Sequence, residues 1–304
     1  MTRNFTFLVN PASGGGAAPQ AVVPVARLLR DAGARVEVTY SPGPHAMRDL
    51  LDGAMSRGDE VVSVGGDGML SSLAGPVSRG GGTLAVLPAG RGNDFARMLG
   101  LPDDPAGQAE LLLKGSVRRV VLLSLTLPGA APRSVAGSVY AGVDARAAEI
   151  VDRARLPESL QYPYAAIRSL ATYRPGRYRV SVDGAEREYA AATVVVANSA
   201  SYGKGMKIAP AALIDDGMLD VVVIEAASRL ELLRALPTVY DGAHVDRPEV
   251  TVLSGKRVEV HGDARQPIPL GGDGEPFGAL PGTDEDPAVV EIQPGALSIL
   301  ADTA

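Results

Sequence analysis

The chain has 304 residues, 46% of them hydrophobic and 21% charged, with 36 Gly, 23 Pro, no Cys and a net charge of 29 − 35 = −6. That length suits two domains with a core each, and the acidic balance argues against nucleic-acid binding through a strong positive field. Without Cys there is no disulfide framework, Cys-based zinc site, iron–sulfur cluster or thiol nucleophile. The first third alternates strand and helix. Residues 5–9 read as a buried strand, 10–16 as a turn-rich loop and about 19–32 as a helix. In that helix Val22, Val25, Ala26 and Leu29 recur at helical spacing, and Gly33 suits the C-cap. Strand 36–40, helix 45–55, strand 60–64, a helix opening near Met69 and strand 84–87 follow. Repeated strand–helix units predict a doubly wound parallel α/β sheet.

The pattern changes after about Leu113, and a domain boundary is expected near residue 125. Strand-like runs then dominate (117–127, 134–140, 178–182, 190–197, 219–224, 250–253 and 258–260), with helices expected at 145–154, 163–172 and 229–239. Many strands joined by Gly/Pro turns suggest a mainly antiparallel second domain. No apolar run approaches the ~20 residues of a membrane span. The 5–9 run is too short for the core of a signal peptide, which needs about 7–15 apolar residues. A soluble, cytoplasmic protein is expected.

Three loops carry residues suited to chemistry. Strand 60–64 runs into Gly65-Gly66-Asp67-Gly68 before a helix begins. Glycines let a ligand approach the backbone and a helix N-terminus offers N–H groups to an anion, which suits a phosphate. Asp67 would repel that phosphate unless a divalent cation lay between them, so the turn implies a Mg²⁺-nucleotide. A tight turn with Asp67 as a cap is the plainer alternative. The second loop, Pro88-Ala89-Gly90-Arg91-Gly92-Asn93-Asp94, also follows the carboxyl end of a strand, where open α/β sheets bind ligands. Asp94 either joins Asp67 near the metal or caps the helix that starts there. In the third loop Asp273 and Glu275 flank Gly274. Neighbouring acids in a confined site favour general-base work, although alone the fragment reads as an exposed acidic turn. The Walker-type phosphate loop, a G-x-G-x-x-G after the first strand, G-x-S-x-G and H-E-x-x-H are all absent. His45, His244 and His261 are scattered and expected on the surface or in loops, against histidine or zinc catalysis.

Taken together and in order, Val9-Asn10-Pro11-Ala12-Ser13-Gly14, 65–68, 88–97, 198–220, Asp273-Gly274-Glu275 and Pro294-Gly295-Ala296-Leu297 resemble the diacylglycerol kinase catalytic family. The likeness covers nearly the whole chain and is strongest to soluble bacterial lipid kinases related to sphingosine and ceramide kinases. It implies ATP-dependent transfer of the γ-phosphoryl group to a lipid hydroxyl, diacylglycerol giving phosphatidic acid. It also implies a nucleotide domain over 1–125 and an antiparallel β-sandwich for the lipid over 126–294. The site would lie in the cleft between them, with a tail, about 295–304, returning to the first domain. Matched residue by residue, Glu275 falls at the proton acceptor with Asp273 beside it. Asn10, Tyr40, Gly65, Gly66, Asp67, Gly68, Met69, Leu70, Ser71, Gly90, Arg91, Asn93 and Asp94 fall at nucleotide positions, Asp67 and Asp94 being the acids near the catalytic Mg²⁺. A structural Mg²⁺ site maps to the carbonyls of Leu213 and Met218 and the carboxylate of Asp216. The compact Asp215-Asp216-Gly217 turn suits a hard cation with oxygen ligands.

The chain departs from the family at Met69 and Arg91, where Thr is usual, and at Tyr40, which stands for a nucleotide-contacting Thr. Three hydroxyls are thus absent or displaced, and Arg91 could replace one by contacting a phosphate oxygen. Two other readings stay open. One is a kinase of another lipid or of a soluble alcohol; NAD kinases share the Gly-Gly-Asp-Gly turn but not Asp-Gly-Glu. The other is a pseudokinase that only binds lipid. The expected partner is a lipid at a membrane surface, with peripheral membrane contact and no nucleic acid, and a homodimer is compatible with this. Residues 153–179 carry Arg153, Arg155, Arg168, Arg174, Arg177 and Arg179 against one acid, Glu158, together with Tyr162, Tyr164, Tyr173 and Tyr178. Arginine beside tyrosine suits a lipid headgroup layer; an ordinary solvated helix and hairpin is the alternative.

Overall fold

The computed structural model describes residues 3–41, 44–90, 92–154, 156, 158–203 and 205–302. They divide into two compact units, one of residues up to Leu122 with those from Pro294 on, the other of Leu123–Gln293. The first unit runs β1 (Phe5–Val9), α1 (Ala18–Asp31), β2 (Val36–Tyr40), α2 (Pro44–Ser56), β3 (Glu60–Gly65), α3 (Asp67–Arg79) and β4 (Thr83–Pro88). It continues through α4 (Asp94–Met98), α5 (Pro105–Lys114) and the first part of β5 (Ser116–Thr126), which crosses into the second unit after Leu122. Strands β2, β1, β3 and β4 lie side by side in that order, all parallel. The apolar character of β1, β3 and β4 follows from burial on both faces: Phe7, Val62, Val64 and Leu87 pack with Val22 and Leu29 of α1. Periodicity does not show α5, yet its start signal stands in the sequence. Asp104 accepts the N–H groups of Ala106 and Gly107 at 3.0 and 2.9 Å, and Pro105 takes the first helical position.

The second unit holds β6 (Arg133–Val135), β7 (Ser138–Gly142), α6 (Val143–Arg153), α7 (Glu158–Ala171), β8 (Gly176–Val182), β9 (Ala185–Ala197) and β10 (Leu219–Glu225). After these come α8 (Arg229–Asp241), β11 (Val250–Gly255), β12 (Arg257–His261), β13 (Pro269–Gly272), β14 (Glu275–Ala279) and most of β15 (Ala288–Ala301). Its pairings are antiparallel, giving the β-sandwich. Alternation sorts the side chains. Val139, Val194, Val196 and Val221 enter the sandwich core, while Tyr140, Val195, Ala197 and Val222 face the other way and pack with Ala145 of α6, Ile208 and Val239 of α8. Beyond Pro294, β15 pairs in parallel with β4 through Ser298 and Ile299.

Several expectations need correction. The run 134–140 is two strands, because the N–H groups of Ala136, Gly137 and Ser138 donate to the Asp273 carboxylate. His244 is not a surface residue; it is 1% exposed, with Nε2 3.0 Å from the Ile208 carbonyl oxygen. The His45 side chain lies outside the described residues. Tyr173 and Tyr178 are buried in the second unit rather than presented to a headgroup layer, and the side chain of Tyr162 lies outside the described residues.

Candidate active site

In the first unit, three loops meet through their backbones at the carboxyl ends of β1, β3 and β4. A Cβ added to Gly90 would lie 2.2 Å from Gly66 Cα, and one added to Gly14 would lie 2.6 Å from the Ala89 carbonyl oxygen. Only glycine permits these approaches. The Ala89 N–H donates to Gly65 O at 2.8 Å, and the Asn10 N–H to Val64 O at 3.0 Å. Strand order reverses between β1 and β3, and open α/β sheets bind ligands outside the strand ends at such a switch point. The N–H groups of Asp67 and Gly68 open the 13-residue α3 there, with no intrahelical acceptor.

Asp67 clamps two of these loops. Its two carboxylate oxygens accept the N–H groups of Asp94 and Phe95 at 3.1 and 3.0 Å, so it caps α4 from another loop. Asn93 closes the second loop on itself, accepting from Gly90 N at 2.9 Å and donating to Gly90 O at 3.1 Å. Asp94 is buried and pairs with Arg97 at 3.1 Å. Asn10 makes a local turn, its Oδ1 accepting the Ala12 N–H at 3.1 Å. Met69 and Leu70 are core residues whose N–H groups donate to Gly66 O, so neither offers a side chain or an amide to a ligand. Ser71 sits half-buried at the start of the second turn of α3, and Tyr40 ends β2 half-exposed. Arg91 lies outside the described residues.

In the second unit, β13 and β14 form a hairpin. Its two turn residues, Asp273 and Gly274, have φ of 48° and 87°, as a two-residue turn of the primed kind requires. Asp273 is fastened down: its oxygens accept from Ala136 N at 2.8 Å, Gly137 N at 3.0 Å and Ser138 N at 3.0 Å. Its carboxylate acts on the turn rather than facing outward. Glu275, the next residue after Gly274, is exposed at the start of β14, and no described residue bonds its carboxylate.

Tyr140 is a neighbour that no motif announces. Its hydroxyl accepts the Gly274 N–H at 2.8 Å, and its ring stacks on Tyr202 at 5.5 Å. Asp144 accepts hydrogen bonds from Thr193, at 2.6 Å, and from Tyr202. Burial raises the Asp144 carboxyl above the usual range despite these bonds, and burial together with Asp144 pushes the Tyr202 hydroxyl well up. A tyrosine in a strand reads as core until the turn is seen resting on its hydroxyl. Elsewhere in this unit, Asp216 accepts the Met218 N–H at 2.9 Å in a turn whose Leu213 is exposed. Burial and the nearby Asp216 charge both raise the Asp220 carboxyl.

Residues 4–125 match the diacylglycerol kinase catalytic domain, and 137–301 match the YegS C-terminal NAD kinase beta sandwich-like domain. The diacylglycerol kinase of Mycobacterium tuberculosis (strain ATCC 25618 / H37Rv) is 33% identical over 259 residues, 84% of each chain. The diacylglycerol kinase of Bacillus subtilis (strain 168) is 25% identical over 242 residues, 78% of this chain and 77% of its own. A crystal structure of a diacylglycerol kinase from Bacillus anthracis str. Sterne superposes with a TM-score of 0.68 at 18% identity, covering 99% of this chain and 97% of that one. The chain therefore belongs to the diacylglycerol kinase family of lipid kinases.

Proposed function

We propose that the protein transfers the γ-phosphoryl group of ATP to a lipid hydroxyl, with diacylglycerol as the acceptor. The observation that carries this reading is the closure of Gly90 on Gly66 beside the amides that open α3. That arrangement is a rigid backbone cradle for phosphate oxygens. Phosphoryl transfer asks mainly for positioning and charge neutralisation. The cradle positions the phosphates, and Glu275, which matches the family's proton acceptor, takes the proton from the attacking hydroxyl. Asp273 and Tyr140 hold the turn that presents Glu275.

The donor set also fits Mg²⁺. Among the described residues no three Asp, Glu or His side chains converge as a metal cage. Asp67 keeps lone pairs on both oxygens beyond the two N–H groups it accepts. One carboxylate plus nucleotide phosphates is the usual way such an ion is held, and bound there it neutralises phosphate charge. Asp67→Asn is expected to weaken Mg-ATP binding about 10-fold, the scale of one charge-assisted contact. Calorimetric titration of Mg-ATP into the variant checks this, and unchanged affinity would separate Asp67 from the nucleotide. Asp216, with the Leu213 and Met218 carbonyls, is proposed to hold a second, structural Mg²⁺. The melting temperature of the wild type should then rise with added Mg²⁺, and that of Asp216→Asn should not. Loss of ATP affinity in Asp216→Asn with an unaltered response of melting to Mg²⁺ would remove the structural site.

The catalytic reading is tested by ADP release measured with and without diacylglycerol in mixed micelles. Release stimulated by the lipid is expected. Mg-ATP binding with no ADP release under any lipid would leave a binding protein, not a kinase.

A further inference from the structure

Helix α7 is apolar on two opposite faces. Ala165 and Leu170 are buried, whereas Leu160, Tyr164 and Ile167 stand 54%, 37% and 58% exposed. At i, i+4 and i+7 these three form one stripe. Leu156 precedes it, exposed, and α8 opens with Leu230 and Leu233 exposed as well. An amphipathic helix of a water-facing surface would be polar there. The surroundings are basic. Arg168 lies over the Tyr164 ring, 5.7 Å from its centroid, and Arg153, Arg174 and Arg177 are exposed. None of these four forms an ion pair with an acid among the described residues. In a chain of net charge −6 this is a local reversal of sign.

We propose that the Leu160–Tyr164–Ile167 stripe is the docking surface for an anionic lipid bilayer, with Arg168, Arg174 and Arg177 contributing the electrostatic attraction. The proposal deepens the lipid-kinase reading and rests on it for its biological purpose, although vesicle binding is measured without ATP. A second copy of the chain is the rival occupant. A two-fold contact would set the same patch against itself, bringing arginine against arginine without a countercharge. Anionic headgroups supply that countercharge and the stripe supplies apolar area for the headgroup–acyl boundary.

Co-sedimentation with phosphatidylglycerol/phosphatidylcholine vesicles tests the surface, using the full chain at low salt. Two variants keep the test independent of folding accidents: Leu160→Asp with Ile167→Asp, and Arg168→Glu with Arg174→Glu and Arg177→Glu. Each should keep the wild-type melting temperature and bind vesicles at least about 10²-fold more weakly, the arginine variant losing roughly a factor of several per residue. Phosphorylation of a short-chain diacylglycerol dispersed as monomers should stay at the wild-type rate in both. Equal vesicle binding by wild type and both variants overturns the proposal. So does a wild-type dimer that the apolar variant splits without any change in vesicle binding. Vesicle binding lost in the variants while the wild type phosphorylates no lipid supports the surface and removes the kinase reading instead.

Discussion

Glu275→Gln is expected to lower kcat about 10²–10⁴-fold, the scale of general-base catalysis, with Mg-ATP affinity unchanged. Glutamine keeps the shape and removes the proton acceptor. Because Glu275 is exposed and no described residue bonds its carboxylate, the substitution breaks no internal contact and should leave the melting temperature alone. Steady-state kinetics together with a melting curve checks both halves. Retention of more than half the wild-type turnover, under conditions where chemistry limits the rate, would mean that another group accepts the proton.

Asp273→Asn should also depress kcat strongly, for a different reason. An asparagine tolerates positive φ, so the backbone of the turn is not at fault. What changes is the acceptor set. Two carboxylate oxygens serve three N–H groups from Ala136, Gly137 and Ser138, and a carboxamide has one oxygen and turns an N–H₂ toward the rest. Hydrogen bonds to a charged group contribute about 1.5–3 kcal/mol, so the variant should melt earlier as well as work more slowly. Hydrogen exchange across 269–279 should rise. A loss of kcat with an unchanged melting temperature and unchanged exchange would instead make Asp273 a proton acceptor in its own right.

The contrast between these two acids shows where sequence reading reaches its limit. Both stand in one Asp-Gly-Glu triplet, and residue type alone assigns them similar work. The difference lies in contacts about 135 residues away, which no local pattern displays. Asp67 is a similar case. Its acid beside three glycines is legible as a phosphate-loop feature, while its grip on the amides of Asp94 and Phe95, 27 and 28 residues on, is not. The parallel sheet was legible because β1 and β2 are short, apolar or alternating runs ended by turn residues, and its strands stand where periodicity puts them. Strands β13 and β14 were not, since Pro269-Leu-Gly-Gly and Glu-Pro-Phe-Gly-Ala279 lack the β-branched residues that mark strands. They are held by β7 and by Tyr140, against whose ring Gly271 lies so closely that a Cβ there would sit 2.9 Å from Tyr140 Cε2. Ile167 lies in the helix expected over 163–172, whereas only the fold extends that helix back to Leu160 and shows that both residues face outward.

The most direct test of the central claim is to follow the label from γ-³²P-ATP with diacylglycerol, ceramide, sphingosine, phosphatidylglycerol and NAD offered in parallel, each lipid in mixed micelles. Labelled phosphatidic acid is expected from the wild type, and next to none from Glu275→Gln. Label appearing in NAD, or in no acceptor while Mg-ATP still binds, would contradict that claim.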